Sequence, residues 1–208
     1  MSRIRRGTEA GKASAYWASL TDYHLTNDDD PIAHERSRWL ADTIVPMIAP
    51  DSLLEVGTNS GRNLQYISQA RPQMILKGID VNARAIALAR SKRLPITFEV
   101  ADANDWAEAA DSWDAVLTMS VLDHIPDEGA ETLAEHISES ASAMISVELW
   151  DGTPGTRGVY KYSRNTRELF ERHGFETLLW EKSRGQYDED KSLLWLFVGR
   201  RLPAGHDS

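Results

Sequence analysis

Apolar and aromatic residues recur at helical spacing in two stretches near the start of the chain. Within residues 13–26 they fall on one face of a helix with a 3.6-residue period, at Tyr16, Trp17, Leu20, Tyr23 and His24. The polar residues 27–31 end in proline and interrupt the pattern, and a second helical stripe follows over residues 32–48. The pattern therefore predicts two helices, of which the second is expected to cover a sheet.

From residue 51 onward, short apolar stretches alternate with helical ones. Strands are predicted at 53–57, 74–80, 96–101, 113–119, 143–149, 175–181 and 193–200. Helices are predicted at 61–70, after an Asn82 cap, near Asn104, at 128–139 and at 164–173, the last capped by Ser163 and stopped by Gly174. Such alternation is typical of a parallel sheet with helices on both faces. Because the turn-forming residues 185–191 leave no room for a helix, the last two strands are expected to pair antiparallel.

The composition limits the classes of function. The 208 residues, 41% hydrophobic and 26% charged, suffice for one α/β domain and are too few for two. A net charge of −9 argues against a nucleic-acid partner, and no apolar run has the length of a membrane span. No apolar segment follows the N-terminal arginines, so a cytoplasmic protein is expected. Cysteine is absent, the six histidines are scattered and G-x-S-x-G does not occur, so neither a metal centre nor a serine hydrolase site is expected.

The sequence LLEVGTNSGRN at residues 53–63 predicts a strand that turns sharply into a helix. Its glycines allow the backbone to approach a ligand closely, and the N–H groups at the start of the helix offer hydrogen-bond donors. The turn is therefore interpreted as a nucleotide-binding turn. A dinucleotide fingerprint G-x-G-x-x-G would require glycine at the positions of Asn59 and Arg62.

The same turn resembles the acid-x-Gly-x-Gly-x-Gly pattern of the class I S-adenosylmethionine-dependent methyltransferases. Glu55, Gly57 and Gly61 match this pattern, and Asn59 replaces its middle glycine. Asparagine tolerates left-handed backbone angles better than other non-glycine residues. We therefore expect Asn59 to adopt a glycine-like conformation.

The resemblance implies an α/β fold, a Rossmann-like doubly wound sheet of seven strands that is mostly parallel, with one antiparallel strand near the C-terminus. Residues 1–50 would form an N-terminal helical cap or lid on the same domain, and residues 51–208 the methyltransferase domain. Asp80 and Asp102 follow the next two strands, where the family binds ribose and adenine; alone, Asp80 would also fit NAD and Asp102 a helix cap. The implied S-adenosylmethionine site comprises Glu55, Gly57, Asn59, Gly61, Asn63, Asp80, Val81, Asp102, Ala103, Ser120 and Val121.

The segment after the fourth strand resembles the part of the family that faces the reacting methyl group. By this resemblance Asp123 and His124 are the catalytic candidates. His124 is either the general base or a structural histidine, and Asp123 orients it, contacts the acceptor or caps a turn. We expect the first helix, either a cover or a lid, and the Gly/Pro-rich residues 151–158 to border the acceptor pocket. The substrate-binding candidates are Tyr16, Trp17, Tyr23, Glu148, Trp150, Tyr160 and Tyr162.

The function implied is methyl transfer from S-adenosylmethionine to an oxygen or nitrogen atom of a small molecule, which yields S-adenosylhomocysteine. The expected partner is that small-molecule acceptor, with no metal, nucleic acid or membrane involved and a homodimer possible. Two alternatives stay open. One is a non-catalytic member of the same fold that binds the cofactor or a protein. The other is a dinucleotide oxidoreductase, which Asn59 and Arg62 disfavour.

Overall fold

The computed structural model describes residues 8–23, 28–103, 106, 112–183 and 193–201. Nine strands are present in this part of the chain: β1 (Ser52–Val56), β2 (Ile75–Asp80), β3 (Thr97–Val100), β4 (Trp113–Met119), β5 (Ala141–Leu149), β6 (Gly155–Gly158), β7 (Lys161–Ser163), β8 (Phe175–Lys182) and β9 (Leu194–Arg201). The α-helices are α1 (Glu9–Ser19), α2 (Pro31–Trp39), α3 (Arg62–Ala70), α4 (Ala83–Ser91), α5 (Asp127–Ser140) and α6 (Thr166–Arg172). Helix α2 continues through a π-helical segment, Leu40–Ile44, into a last turn, Val45–Ile48. None of the described helices is long and apolar enough to cross a membrane.

Seven of the strands form one sheet in the order β3-β2-β1-β4-β5-β9-β8. Strands β1 to β5 pair in parallel, and β9 is antiparallel to both of its neighbours, β5 and β8. The predicted fold class, a seven-stranded, mostly parallel Rossmann-like sheet with one reversed strand, is therefore confirmed. The chain runs outward from β1 to β3 and then returns to β4 on the other side of β1. This reversal creates a switch point between β1 and β4, where open α/β sheets bind ligands.

The sheet is buried between two apolar layers. On β1, the side chain of Leu53 packs into one layer with Ile44 and Leu64, because alternate residues of a strand face opposite sides. Leu54 packs into the other layer, which contains Leu133 of α5 and other residues of α5 and α6. Covering helices on both faces fix the sheet, so the loops at the carboxyl ends of its strands are held by a rigid scaffold.

Several predicted element boundaries differ from the structure. Helix α1 begins at Glu9, after a Thr8 cap whose Oγ1 accepts a hydrogen bond from the Gly11 N–H, and it ends before the extended Leu20. The first helix therefore begins and ends earlier in the chain than the predicted range 13–26. Helix α6 is capped by Asn165, not by Ser163 as predicted, because the Ser163 hydroxyl hydrogen-bonds Asp151.

Other predicted features concern the connections between elements. The predicted loop at 151–158 contains β6, which pairs with β7 as a two-stranded antiparallel sheet. Gly174 has a φ of +85° just after α6, as expected of a helix stop. The predictions that concern His24, a helix start at Asn104 and the loop at 185–191 lie outside the described residues.

Candidate active site

A cavity of about 190 Å³ lies at the carboxyl ends of β1, β2 and β4, at the switch point. This volume is several times the roughly 30 Å³ that one water molecule occupies, so the cavity can hold an organic ligand. The turn after β1, the ends of β2 and β4, and helices α1 and α2 all contribute to its lining. Its position agrees with the ligand site expected for this topology.

The turn after β1 is held in a conformation that needs its unusual residues. Gly57, Asn59 and Gly61 have φ values of 73°, 52° and 75°, so the expected left-handed backbone of Asn59 is confirmed. A Cβ on Gly57 would lie only 2.2 Å from Cγ2 of Val121, which follows β4. The N–H groups of Gly57 and Thr58 both donate to the carbonyl of Ile79, at 2.8 and 2.9 Å. The turn is thus packed against both neighbouring strands.

Asp80 connects this turn to the end of β2. Its Oδ2 accepts a hydrogen bond from the Asn59 N–H and its Oδ1 one from the Asn82 N–H, each at 2.8 Å. Burial raises the pKa of Asp80, an effect that these two N–H donors oppose. The carboxylate therefore lines the cavity with both oxygens already oriented by the backbone.

Glu55 forms the inner end of the cavity. Its carboxylate accepts hydrogen bonds from the hydroxyl of Thr58 and the side-chain amide of Asn63, both at 2.6 Å. Glu55 is fully buried, and desolvation raises its pKa to about 7 in spite of these donors. A cationic ligand group at this end would favour the ionised carboxylate.

Two arginines that sequence reasoning did not select, the half-buried Arg36 and the buried Arg62, also line the cavity. Arg36 comes from α2, and Arg62 begins α3 with its Nε 3.1 Å from the hydroxyl of Ser37. Burial lowers the pKa of both guanidinium groups, and the proximity of Arg62 lowers that of Arg36 further. In the sequence Arg62 appeared as the replacement for a dinucleotide-type glycine, which gave no indication of a binding role.

The loop after β4 provides a further wall of the cavity, with Ser120, Val121 and His124 in the lining. Ser120 has a φ of 51°, and its N–H donates to the carbonyl of Val147 at 2.9 Å. His124 closes the short 3₁₀ helix Leu122–His124 and lines the cavity. Its Nδ1 lies 2.9 Å from the carbonyl oxygen of Tyr160, and its Nε2 lies 3.5 Å from Oδ1 of Asp123.

Helix α1 lies over this wall. The ring of Trp17 contacts that of His124 at a centroid distance of 4.1 Å, and Tyr23 packs on Trp17 at 5.4 Å. The side-chain amide of Asn82 donates to the carbonyls of Trp17 and Leu20, at 3.1 and 2.9 Å. Helix α1, which lines the cavity, is therefore attached to the start of α4.

Most of the predicted site residues meet at this cavity. It is lined by Glu55, Gly57, Asn59, Asn63, Asp80, Val81, Asp102, Ala103, Ser120, Val121, His124, Trp17 and Tyr23. Lining residues that the sequence did not suggest include Ser14, Arg36, Asn82, Arg62 and Met119.

The remaining predicted residues do not line the cavity. Gly61 packs against Phe98, because a Cβ there would be 2.6 Å from the phenylalanine ring. Asp123 and Glu148 are buried behind the His124 loop, with exposed fractions of 3% and 1%. Four more are also absent from the lining: Tyr16, Trp150, Tyr160 and Tyr162. Tyr16 contacts Tyr160 at a centroid distance of 5.5 Å.

The chain is similar to known methyltransferases in both comparisons that gave a match. Residues 53–141 match the family described as "Methyltransferase domain". No curated protein matches the chain in sequence. Magnesium protoporphyrin IX methyltransferase (ChlM) from Synechocystis PCC 6803, with bound SAM, has a TM-score of 0.71 and 15% identity, over 94% of this chain and 98% of that one.

Two further solved structures have a similar fold. The N-methyltransferase NodS from Bradyrhizobium japonicum WM9, in complex with S-adenosyl-L-homocysteine, has a TM-score of 0.70 and 19% identity, over 94% of this chain and all of that one. The plantazolicin methyltransferase BpumL, in complex with SAH, has a TM-score of 0.67 and 17% identity, over 93% and 95% of the two chains. The chain thus shares the fold of these methyltransferases, and residues 53–141 are similar to the methyltransferase domain family.

Proposed function

We propose that the protein transfers a methyl group from S-adenosylmethionine to an oxygen or nitrogen atom of a small-molecule acceptor. The observation that carries this proposal is the cavity at the switch point, which is lined by Glu55, Asn59, Asp80 and His124 together. S-adenosylmethionine supplies a methyl group bonded to a positively charged sulfur. The solved structures similar to this chain include methyltransferases named for magnesium protoporphyrin IX and for plantazolicin, which supports a small-molecule or peptide acceptor.

The residues of the cavity fit such a cofactor. The side-chain oxygen of Asn59 is buried and has no hydrogen-bond partner among the described residues, so it is available to a ligand donor. Because Gly57 has no Cβ, the backbone of the turn can pack directly against Val121. In this proposal Asp80 binds the ribose hydroxyls, and Asp102 with the backbone of Ala103 binds the adenine.

The amino-acid part of the cofactor has one cation and one anion, and the inner end of the cavity has groups for both. Glu55 would accept hydrogen bonds from the ammonium group. Arg36 and Arg62 would bind the carboxylate, since guanidinium groups form paired hydrogen bonds with carboxylates. The three side chains line the cavity together, and the charge of Arg62 already lowers the pKa of Glu55.

His124 is proposed as the general base. A carbonyl oxygen only accepts hydrogen bonds, so its contact with the Tyr160 carbonyl assigns the ring proton to Nδ1 and leaves the lone pair on Nε2. Nε2 would take the proton of the acceptor, and the carboxylate of Asp123 would stabilise the resulting imidazolium. A base of this kind contributes about 10²–10⁴-fold in rate. The Trp17 ring against His124 and the buried wall behind it would limit access of water.

Calorimetric titration of the protein with S-adenosylmethionine, S-adenosylhomocysteine and NADH tests the cofactor. We expect binding of the first two and a loss of affinity of about tenfold or more in Asp80→Asn, which removes the charge that would accept the ribose hydroxyls. Asp114→Asn is a matched control, because Asp114 also accepts backbone N–H groups, from Asp51 and Ser52, and does not line the cavity. An absence of heat with S-adenosylmethionine and S-adenosylhomocysteine would contradict the proposal, and tight NADH binding would favour an oxidoreductase.

The variant His124→Asn tests the base, because an asparagine amide can still donate to the Tyr160 carbonyl. We expect its affinity for S-adenosylmethionine to stay within about twofold of the wild type. Its kcat, measured on an acceptor identified by a metabolite screen, is expected to fall by about a hundredfold. Equal turnover in the two proteins would exclude His124 as the base. Cofactor binding with no turnover of any acceptor by the wild type would instead favour a non-catalytic member of the fold.

A further inference from the structure

The loop that carries His124 rests on a buried glutamate from the neighbouring strand. One oxygen of Glu148, Oε2, accepts hydrogen bonds from the N–H groups of Val121 and Asp123, at 2.9 and 3.2 Å. The other oxygen, Oε1, is buried and has no hydrogen-bond partner among the described residues. A buried carboxylate oxygen without a donor would be costly, whereas a protonated one carries no charge there.

Glu148 and Asp123 form a pair of buried carboxyl groups behind His124. The exposed fractions of 1% and 3% leave almost no water to separate two negative charges. Oδ1 of Asp123 is likewise buried without a hydrogen-bond partner among the described residues, but it lies 3.5 Å from Nε2 of His124, so Asp123 is the member of the pair that faces the base. Two carboxyl groups in contact inside a protein ordinarily share one proton, because both cannot be ionised at low cost.

We propose that Glu148 is a positioning residue for methyl transfer: it keeps a proton, supports the Val121–Asp123 backbone with Oε2, and leaves Asp123 as the one carboxylate facing His124. This inference rests on the proposed function, in which His124 is the base. It also assigns Glu148 a place behind the base, whereas the sequence had suggested a contact with the acceptor.

The surrounding charges decide which of the two carboxyl groups holds the proton. Asp123 is influenced by His124, by Lys161 of β7 and by Arg164 after β7, all of which lower its pKa against the effect of burial. Arg164 is itself fixed on this loop by hydrogen bonds to the carbonyls of Leu122 and Ile125. Burial, together with the negative charge of Asp123, raises the pKa of Glu148 well above its ordinary value, although hydrogen bonds from Thr118 and from the N–H groups of Asp123 and Val121 act in the opposite direction.

The proton balance of the reaction is then simple. As the acceptor's O–H or N–H bond breaks, a bond forms between that proton and Nε2 of His124. The positive imidazolium is neutralised by the single negative charge of Asp123, and Glu148 keeps its own proton throughout. After the product leaves, the proton on Nε2 passes to solvent, and the pair returns to its starting charge.

A pH titration of the cofactor-free protein, labelled with ¹³C at the glutamate carboxyl carbons, tests the charge of Glu148 without any need for turnover. The Glu148 resonance is assigned by its disappearance in Glu148→Gln. We expect it to keep the shift of a protonated carboxyl at pH values where ordinary glutamates, with a pKa near 4.3, are fully ionised. Titration of Glu148 near that ordinary value would overturn the inference and would leave the proposed function intact.

Kinetics on an identified acceptor provide the second test. Glutamine resembles a protonated glutamate, since its amide oxygen can still accept the two N–H groups. We expect the kcat of Glu148→Gln to exceed that of Glu148→Ala at least tenfold, with closely similar affinity for S-adenosylmethionine. Equally low kcat values in the two variants would show that the ionised carboxylate is required and would contradict the inference.

If Glu148→Ala does not fold, as judged by near-UV circular dichroism, the ¹³C titration alone tests whether Glu148 is protonated. A failure of the wild type to bind S-adenosylmethionine would count against the proposed function, not against the proton on Glu148.

Discussion

At the scale of single residues, Gly57 is the glycine of the cavity lining at which an added Cβ would clash with a neighbouring side chain. Its φ of +73° disfavours any side chain, and a Cβ would lie 2.2 Å from Cγ2 of Val121. The left-handed backbone costs roughly 1–2 kcal/mol and overpacking a further 1–3 kcal/mol or so. We therefore expect Gly57→Ala to lower the free energy of unfolding by about 2–5 kcal/mol, as measured by denaturant titration.

Two further variants separate the backbone effect from the contact with Val121. Gly152 also has a positive φ, +94°, but a Cβ there would have no atom within 4 Å, so Gly152→Ala should show the backbone cost alone. The double variant Gly57→Ala, Val121→Ala removes the contacted methyl group and should recover part of the lost stability. If Gly57→Ala and Gly152→Ala lowered the free energy of unfolding equally, the contact with Val121 would make no contribution to the cost of the Gly57 substitution.

Much of the cavity at this scale is predictable from residue order. Gly57, Asp80 and Asp102 each follow a strand, and parallel neighbouring strands end at one edge of the sheet, so their meeting at the cavity follows from the sequence. The positions of Arg36 and Glu148 do not follow in this way. Arg36 reaches the cavity because α2 packs beside α3, and Glu148 lies under the His124 loop because that loop folds back over β5. Both depend on packing between elements that are distant in the chain.

At the scale of elements, the attachment of α1 depends on one side chain with two separate roles. The Oδ1 of Asn82 caps α4 by accepting from the N–H groups of Arg84 and Ala85, while its Nδ2 donates to two carbonyls at the end of α1. Asn82→Asp keeps the cap and replaces the donor by an oxygen that faces those carbonyls. Loss of two hydrogen bonds, each worth roughly 0.5–1.5 kcal/mol, should loosen α1 without unfolding α4.

Hydrogen exchange followed by mass spectrometry measures this effect. We expect the amides of α1 to exchange about tenfold faster or more in Asn82→Asp, while those of α4 change little. Asn165→Asp is the control, because Asn165 also caps a helix, accepting from the Glu168 N–H, while its amide donates to the Glu168 carboxylate and not to the carbonyls of α1. Equal exchange of α1 in the two variants would mean that Asn82 does not hold the helix. A rise in the KM for the acceptor in Asn82→Asp would further support a role of α1 as a lid.

The elements differ in how far the sequence predicts them. Strand β4 begins and ends where its apolar run does, at Trp113 and Met119. Periodicity overextended α1, because Tyr23 reaches Trp17 after the chain has turned at Leu20, although the spacing also fits a continuous helix. Strands β6 and β7 are three or four residues long and largely exposed, so they lack the alternating apolar pattern that marks a strand.

At the scale of the whole molecule, four acids make stability depend on pH: the buried Glu55, Asp123 and Glu148 and the half-buried Asp80. Burial raises the pKa of each of them in the folded protein. An acid whose pKa is higher in the folded protein than in the unfolded chain stabilises the folded state fully at pH values below its pKa in the unfolded chain. This contribution is lost as the pH rises through its pKa in the folded protein. The cofactor-free protein should therefore become less stable as the pH rises from acidic towards neutral values, the reverse of what paired surface carboxylates produce.

Glu55 gives this prediction a magnitude, since its pKa rises from 4.5 to about 7. A shift of that size corresponds to about 3 kcal/mol, lost between pH 4.5 and a little above 7. We expect urea titrations over this pH range to show the decline in the wild type and a flatter profile in Glu55→Gln, which resembles the protonated acid. Glu135→Gln, at an exposed position of α5, is the control and should follow the wild type. Parallel profiles in the wild type and Glu55→Gln would show that the pKa of Glu55 is the same in the folded and the unfolded protein.

Because a bound ammonium group would favour ionised Glu55, saturation with S-adenosylmethionine should stabilise the wild type more than Glu55→Gln near neutral pH. Equal stabilisation of the two proteins would argue against a contact between the ammonium group and Glu55.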